Sequence, residues 1–162
     1  MDQIPSNFTS TTNQITDTGI AEVGGNVRKF TAGAALLIGD VVYLSAADTV
    51  NKSAVAADYE KFIGVVVGGK TAAANGSVTD VEAEIGLAAA AAGEWVLVQI
   101  DGIARVKSDG AILATSRIIA DATIAGEVDI AGATGYFLGI ALEAIPDGSV
   151  GRMLIRFYEN TA

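Results

Sequence analysis

From Val27 onward, short apolar runs rich in β-branched residues alternate with turn residues, a pattern that predicts an all-β domain. Strands are expected over Val27–Thr31, Asp40–Ser45, Phe62–Val67, Trp95–Ile100, Ile103–Lys107, Arg117–Ala120, Tyr136–Glu143 and Val150–Tyr158. Asp101-Gly102 between two of these runs suits a two-residue type I′ turn, whose twist matches the flanking strands, so a hairpin is predicted there. In that register Ile100 faces Ile103, Val98 faces Arg105 and Val96 faces Lys107, and both faces of the ribbon are largely apolar. One face would fill the core; the other would meet a second layer or a neighbouring subunit. In the last strand Met153, Ile155 and Phe157 point one way and Arg152, Leu154 and Arg156 the other.

One phrase occurs twice. Phe62-Ile63-Gly64-Val65-Val66-Val67 returns as Phe137-Leu138-Gly139-Ile140-Ala141-Leu142, at an offset of 137 − 62 = 75 residues. Upstream, the run from Ala35 aligns with the run from Ala111 at an offset of 111 − 35 = 76. Two copies are too few for a solenoid, so the halves are expected to close on each other as one barrel or sandwich. The Ala- and Gly-rich stretch from Gly68 to Gly93 fits neither copy. A helix near Asp80–Ala92 competes there with a strand in which Asp80, Glu82 and Glu84 alternate.

Residues 1–26 read as an extended arm preceding a β-domain over 27–162. Polar residues dominate the arm, and Ile4, Pro5, Phe8, Ile15 and Ile20 stand in it as spaced apolar pegs. So polar a segment cannot offset its ordering entropy alone, which leaves two readings open: a disordered tail, as most polar termini are, or an arm whose pegs order against a partner surface.

Composition then narrows the chemistry. The chain has no cysteine and no histidine, which removes disulfides, thiolate nucleophiles and imidazole acid–base catalysis. A net charge of −9 disfavours nucleic acid and anionic membranes as partners, and no run of about 18 apolar residues spans a bilayer. The start lacks the basic n-region of a signal peptide, so a soluble protein is expected. Yet 51% of the residues are hydrophobic, which points either to Ala and Gly content or to surface covered by partners.

Three chemical signals remain. Gly64 to Thr71 formally matches the phosphate-loop pattern GxxxxGK[ST], but its first glycine lies inside a strand-like run and three valines fill the loop. Asp80, Glu82 and Glu84 would share one strand face, where hard cations take oxygen ligands, without any EF-hand spacing; an acidic solvated rim fits them better. Glu94, Glu127, Asp101 and Asp121 are the carboxylates from which a glycosidase pair would have to come. None makes a credible catalytic site, and no catalytic, cofactor or metal residue is assigned.

The order Gly39-Asp40-Val41-Val42-Tyr43, Phe62-Ile63-Gly64-Val65-Val66, Gly93-Glu94-Trp95-Val96-Leu97-Val98, Asp101-Gly102-Ile103-Ala104, Ala125-Gly126-Glu127-Val128, Gly139-Ile140-Ala141-Leu142-Glu143-Ala144 and a closing Gly151–Phe157 strand resembles the capsid cement or head-decoration proteins of tailed bacteriophages. The resemblance covers about Phe30 to Phe157. It implies a small β-barrel or β-tulip domain, a homotrimer, no enzymatic activity and no cofactor. It also implies the major capsid protein as partner and a place on the capsid exterior of a virion, after synthesis in the host cytoplasm. Arg152 and Arg156, projecting from the last strand of an acidic protein, are candidate interface residues beside the five arm pegs. The competing reading is a carbohydrate- or receptor-binding β module of a phage fibre or bacterial surface protein, which needs an exposed cluster among Trp95, Tyr43, Tyr59, Tyr136 and Tyr158.

Overall fold

The computed structural model describes residues 26–53, 61–74, 85–132 and 135–160. The chain is all-β, as its alternation predicts. In order, the elements are β1 (Val27–Ala32), β2 (Leu36–Leu37), β3 (Val41–Ala46), β4 (Thr49–Lys52), β5 (Phe62–Gly69), α1 (Lys70–Ala74), β6 (Ala88–Ala90), β7 (Trp95–Gln99), β8 (Gly102–Lys107), β9 (Arg117–Ala120), β10 (Val128–Ile130), β11 (Gly135–Ala141) and β12 (Val150–Asn160). Each predicted strand is present within a few residues of its expected ends.

The pairing differs from the expected hairpin. β7 lies between β1 and β5 in a closed barrel of order β1-β4-β3-β5-β7, whereas β8 pairs with β12 in a second sheet of order β10-β9-β11-β12-β8. Asp101-Gly102 is therefore a corner between sheets and not a turn between partners. A type I′ turn needs positive φ at both central residues; here Gly102 has φ 82° and Asp101 is not among the positive-φ residues. The buried side chain of Gln99 holds the corner by donating from Nε2 to the carbonyls of Asp101 and Ile103, both at 2.8 Å.

The halves also do not merge into one barrel. Each builds its own five strands, and the second repeats the first: β8, β9, β10, β11 and β12 take the places of β1, β3, β4, β5 and β7. The parallel pairing of β1 with β4 recurs as a parallel bridge from Ser108 to Val128, which brings the edges of the second sheet together. The β2–β6 pair, Leu36 opposite Ala90, recurs as the antiparallel bridge Ile112–Ile145. Bonds between connections are copied as well: Gly39 N–H donates to Val66 O and Thr115 N–H to Ala141 O, both at 2.8 Å. Past the insert the offset falls from 75 to 145 − 90 = 55 residues, so the first copy carries 20 extra residues between β5 and β7.

β5 explains why its run is apolar throughout. Val66 packs in the barrel core with Val42, Val50, Val96 and Val98, while Phe62 and Val65 point to the other side, with Val41, into the core of the second sheet. A strand covered on both faces has no polar side to alternate with.

The repeat also exposes a strain. Gly39 has φ 90°, and at the equivalent position Thr115 has φ 67°, a left-handed conformation disfavoured for a β-branched residue. Thr115→Gly is expected to stabilise the protein by roughly 1 kcal/mol, read as a raised urea midpoint at unchanged slope.

Candidate interaction surfaces

The two sheets are joined around Gly126, in the loop between β9 and β10. Val41 N–H donates to Gly126 O at 2.9 Å, and Gly126 N–H to Ser53 O at 3.0 Å. The carboxylate of Asp40 fills the space a side chain at Gly126 would need. Asp40 is buried, accepts Leu37 N–H at 2.6 Å and pairs with Lys52 at 3.1 Å. Burial pushes its carboxyl above the ordinary range; the Leu37 amide and Lys52 pull the other way without overcoming it, and Glu127 adds to the rise. Glu127 is itself held by Lys107 at 2.6 Å.

An acid that binds its proton more tightly folded than unfolded contributes most below its unfolded pKa, and that contribution is lost as pH rises through its folded pKa. The melting temperature of the wild type relative to Asp40→Asn should accordingly fall as pH is raised from about 3.5 towards 6. Calorimetry across that range checks it, and a difference that grows with pH would contradict the burial argument.

The phosphate-loop pattern has a packing explanation. Gly64 lies inside β5, as expected, and the strand runs past its expected end at Val67 to Gly69; a side chain at Gly64 or Gly69 would strike backbone, the carbonyl of Gln99 at the first and that of Ala89 at the second. The five-residue α1 does begin at Lys70, but Lys70 is turned to Glu94 at 3.1 Å and Thr71 Oγ1 donates to the same carboxylate at 3.0 Å. The Ala91 amide, then Lys70 and Thr71, hold the Glu94 carboxyl below its usual range.

The other catalytic candidates are similarly engaged. Asp101 Oδ1 accepts Asn26 N–H at 2.6 Å. Asp121 caps its own loop: burial opposes ionisation there, but bonds from the Thr123 hydroxyl and from the Ile124 and Thr123 amides outweigh it and lower the pKa. Among the described residues no three acidic groups come together as a metal site. Asp80, Glu82 and Glu84 lie outside the described residues. Of the helix considered at Asp80–Ala92, the described part from Ile85 is instead a turn followed by β6.

Ile4, Pro5, Phe8, Ile15 and Ile20 also lie outside the described residues. Arg152 is bound within the chain, donating from Nη2 to Glu143 at 3.1 Å while its amide donates to the other oxygen at 2.9 Å. Arg156 is exposed on β12, while Met153 and Ile155 are buried on the opposite face. Trp95, Tyr43 and Tyr136 are half-buried on three different strands, so the described aromatics form no exposed sugar platform.

One surface was missed in the sequence. Leu113 and Leu142 are 68% and 39% exposed at one end of the second sheet, where Thr115 N–H and Ser116 O both bond to Ala141 at 2.8 and 2.9 Å. Their equivalents in the first copy, Leu37 and Val67, are half-buried and buried. The repeat offset was the available signal.

No protein-family model matches the chain, and no curated protein does. Among solved structures it is similar in fold to the head fiber gp8.5 N base of bacteriophage phi29, at 10% identity and a TM-score of 0.50, over 85% of this chain and 99% of that one.

Proposed function

We propose that the chain is a structural protein of a phage virion that binds the outer surface of the capsid and stabilises the shell, as a homotrimer contacting the major capsid protein. The observation that carries this reading is the fold shared with a phage head fiber base over 85% of the chain. The absence of a hairpin between β7 and β8 removes one argument for a trimer, and the trimer now rests on the family resemblance. The engaged carboxylates fit a protein that holds surfaces together. Binding the assembled lattice and not its separated subunits would stabilise the shell by linkage, and symmetry would repeat each modest contact many times.

The test is co-sedimentation of the full chain with undecorated capsids of its phage, beside a variant lacking residues 2–15. The full chain is expected to attach and to raise the temperature at which the capsids open. The truncated chain should keep its circular dichroism spectrum and lose at least about a hundredfold in affinity, since Ile4, Phe8 and Ile15 would each contribute about 1.5–3 kcal/mol when buried. Full attachment by the truncated chain would assign the interface to the β-frame, and no attachment by either would overturn the reading.

A further inference from the structure

We propose that the outer face of the second sheet, where Ile103, Leu154, Ile140 and Leu142 lie among Arg105, Arg152 and Arg117, is the surface on which the acidic side of a second copy of this chain docks. The inference deepens the proposed function and rests on its self-association, not on its capsid contact.

Register assembles the face. Ile103 lies opposite Leu154, Leu154 opposite Ile140 and Ile140 opposite Arg117, so one row crosses four strands. In the row beside it Arg105 lies opposite Arg152, and the Leu142 amide donates to the Arg152 carbonyl at 3.0 Å. Ala104, Ile118, Met153 and Ile155 are buried on the inner side, whereas Ile103, Leu154 and Ile140 are half-buried and Arg117 and Leu142 exposed. In the first copy the equivalents of Arg117, Ile140 and Leu154 are Val41, Val65 and Gln99, all 0% exposed, and Val41 and Val65 pack into the core of the second sheet. Within the chain, then, the first copy's face is covered by the second sheet, while the second copy's face keeps an aliphatic row in partial contact with solvent.

Charge selects the occupant. Among the described residues the strands of this sheet carry five of the chain's ten cations, Arg105, Lys107, Arg117, Arg152 and Arg156, against one carboxylate, Asp129. Glu127 and Glu143, in the adjoining connections, pair with Lys107 and Arg152, which leaves this region at +2 and the rest of the chain at −9 − 2 = −11. Like charges placed directly opposite, as Arg105 and Arg152 are, cost stability within one chain. The bond from Arg152, and with it the charge of Arg105, hold the Glu143 carboxyl below its usual range, so both guanidiniums act on the same group. A net positive face attracts an acidic partner, and a copy of this chain is one. Two such faces would repel each other. The contact is therefore head to tail, face against acidic side, the arrangement that closes into rings such as a trimer.

The test follows the mass of the full chain by sedimentation velocity over a range of concentrations, beside the double variant Arg105→Glu/Leu142→Asp and a control, Leu44→Asp, at an exposed position of the barrel. Wild type and control are expected to associate alike, and the double variant to dissociate about a hundredfold more readily with an unaltered circular dichroism spectrum. Raising sodium chloride from about 0.05 to about 0.5 M should weaken wild-type association about tenfold. Benzoylphenylalanine at Leu142, in a mixture of nitrogen-15-labelled and unlabelled chains, should cross-link between isotopic species, a readout that does not depend on the double variant folding. A wild type that stays monomeric would overturn this proposal and the trimer together. Wild-type association in the double variant, indifference to salt, or cross-links confined to one isotopic species would overturn the proposal alone; if the double variant stayed associated and lost capsid attachment, the face would belong to the capsid protein.

Discussion

Gly64→Ala and Gly139→Ala are each expected to destabilise the protein by about 3 kcal/mol or more, enough to lower the urea midpoint severely or to prevent folding. At Gly64 a methyl group would run into the carbonyl of Gln99, and at Gly139 into the carbonyl of Leu154 and the side chain of Met153. Gln99 and Leu154 are themselves equivalent in the two copies, so both glycines do the same thing: they let β5 and β11 approach the backbone of β7 and β12. A colliding carbonyl cannot rotate away without breaking the ladder. Gly132→Ala is the control, because nothing lies within 4 Å of the position its methyl would take, and it should change stability by less than about 0.5 kcal/mol. Equal tolerance at all three positions would mean that the strands are not so close.

The second large effect is expected at Gln99. Its side chain is fully buried, and Nε2 satisfies two carbonyls at the corner where the chain leaves the barrel for the second sheet. Gln99→Leu keeps the bulk and removes both donors, at an expected cost of about 2–5 kcal/mol. Urea unfolding measures it. In a hairpin Gln99 would be an ordinary ladder residue and the change would be mild, so a near-neutral result would reinstate the β7–β8 pairing.

That contrast shows what the sequence carries and what it does not. Alternation and apolar runs located the long strands because side-chain period is a local property. Pairing is not local. Asp101-Gly102 has the composition of a tight turn, yet β7 is taken up by β1 and β5 on both its edges, which leaves it no edge for β8. The short elements escaped for a related reason: Leu36–Leu37, Ala88–Ala90 and Val128–Ile130 are too brief to show a period, and Thr49-Val50-Asn51-Lys52 has only one apolar residue. The doubled phrase announced the duplication, but not that the first copy would close as a barrel of its own and the second form a separate sheet whose edges meet at one bridge.

Of the candidate interface residues, Arg152 was recognisable as a projecting charge, while its partner Glu143 depended on the register of β11 against β12. Leu113 and Leu142 could not be identified from their own neighbourhoods. They are exposed because the second copy lacks chain that the first copy has, and only superimposing the copies makes that visible.

The unequal connection between equivalent strands also bears on engineering. The β5–β7 link is 20 residues longer than its twin, while the strand order around it is the same. The corresponding short link, Leu142 to Ser149, joins β11 to β12 at the surface and includes exposed Ala144, Pro146, Asp147 and Gly148. Its exposed tip at Pro146-Asp147-Gly148, beyond the buried Ile145 bridge, is where an inserted peptide is expected to be tolerated with an unchanged circular dichroism spectrum, which would make the chain a display scaffold.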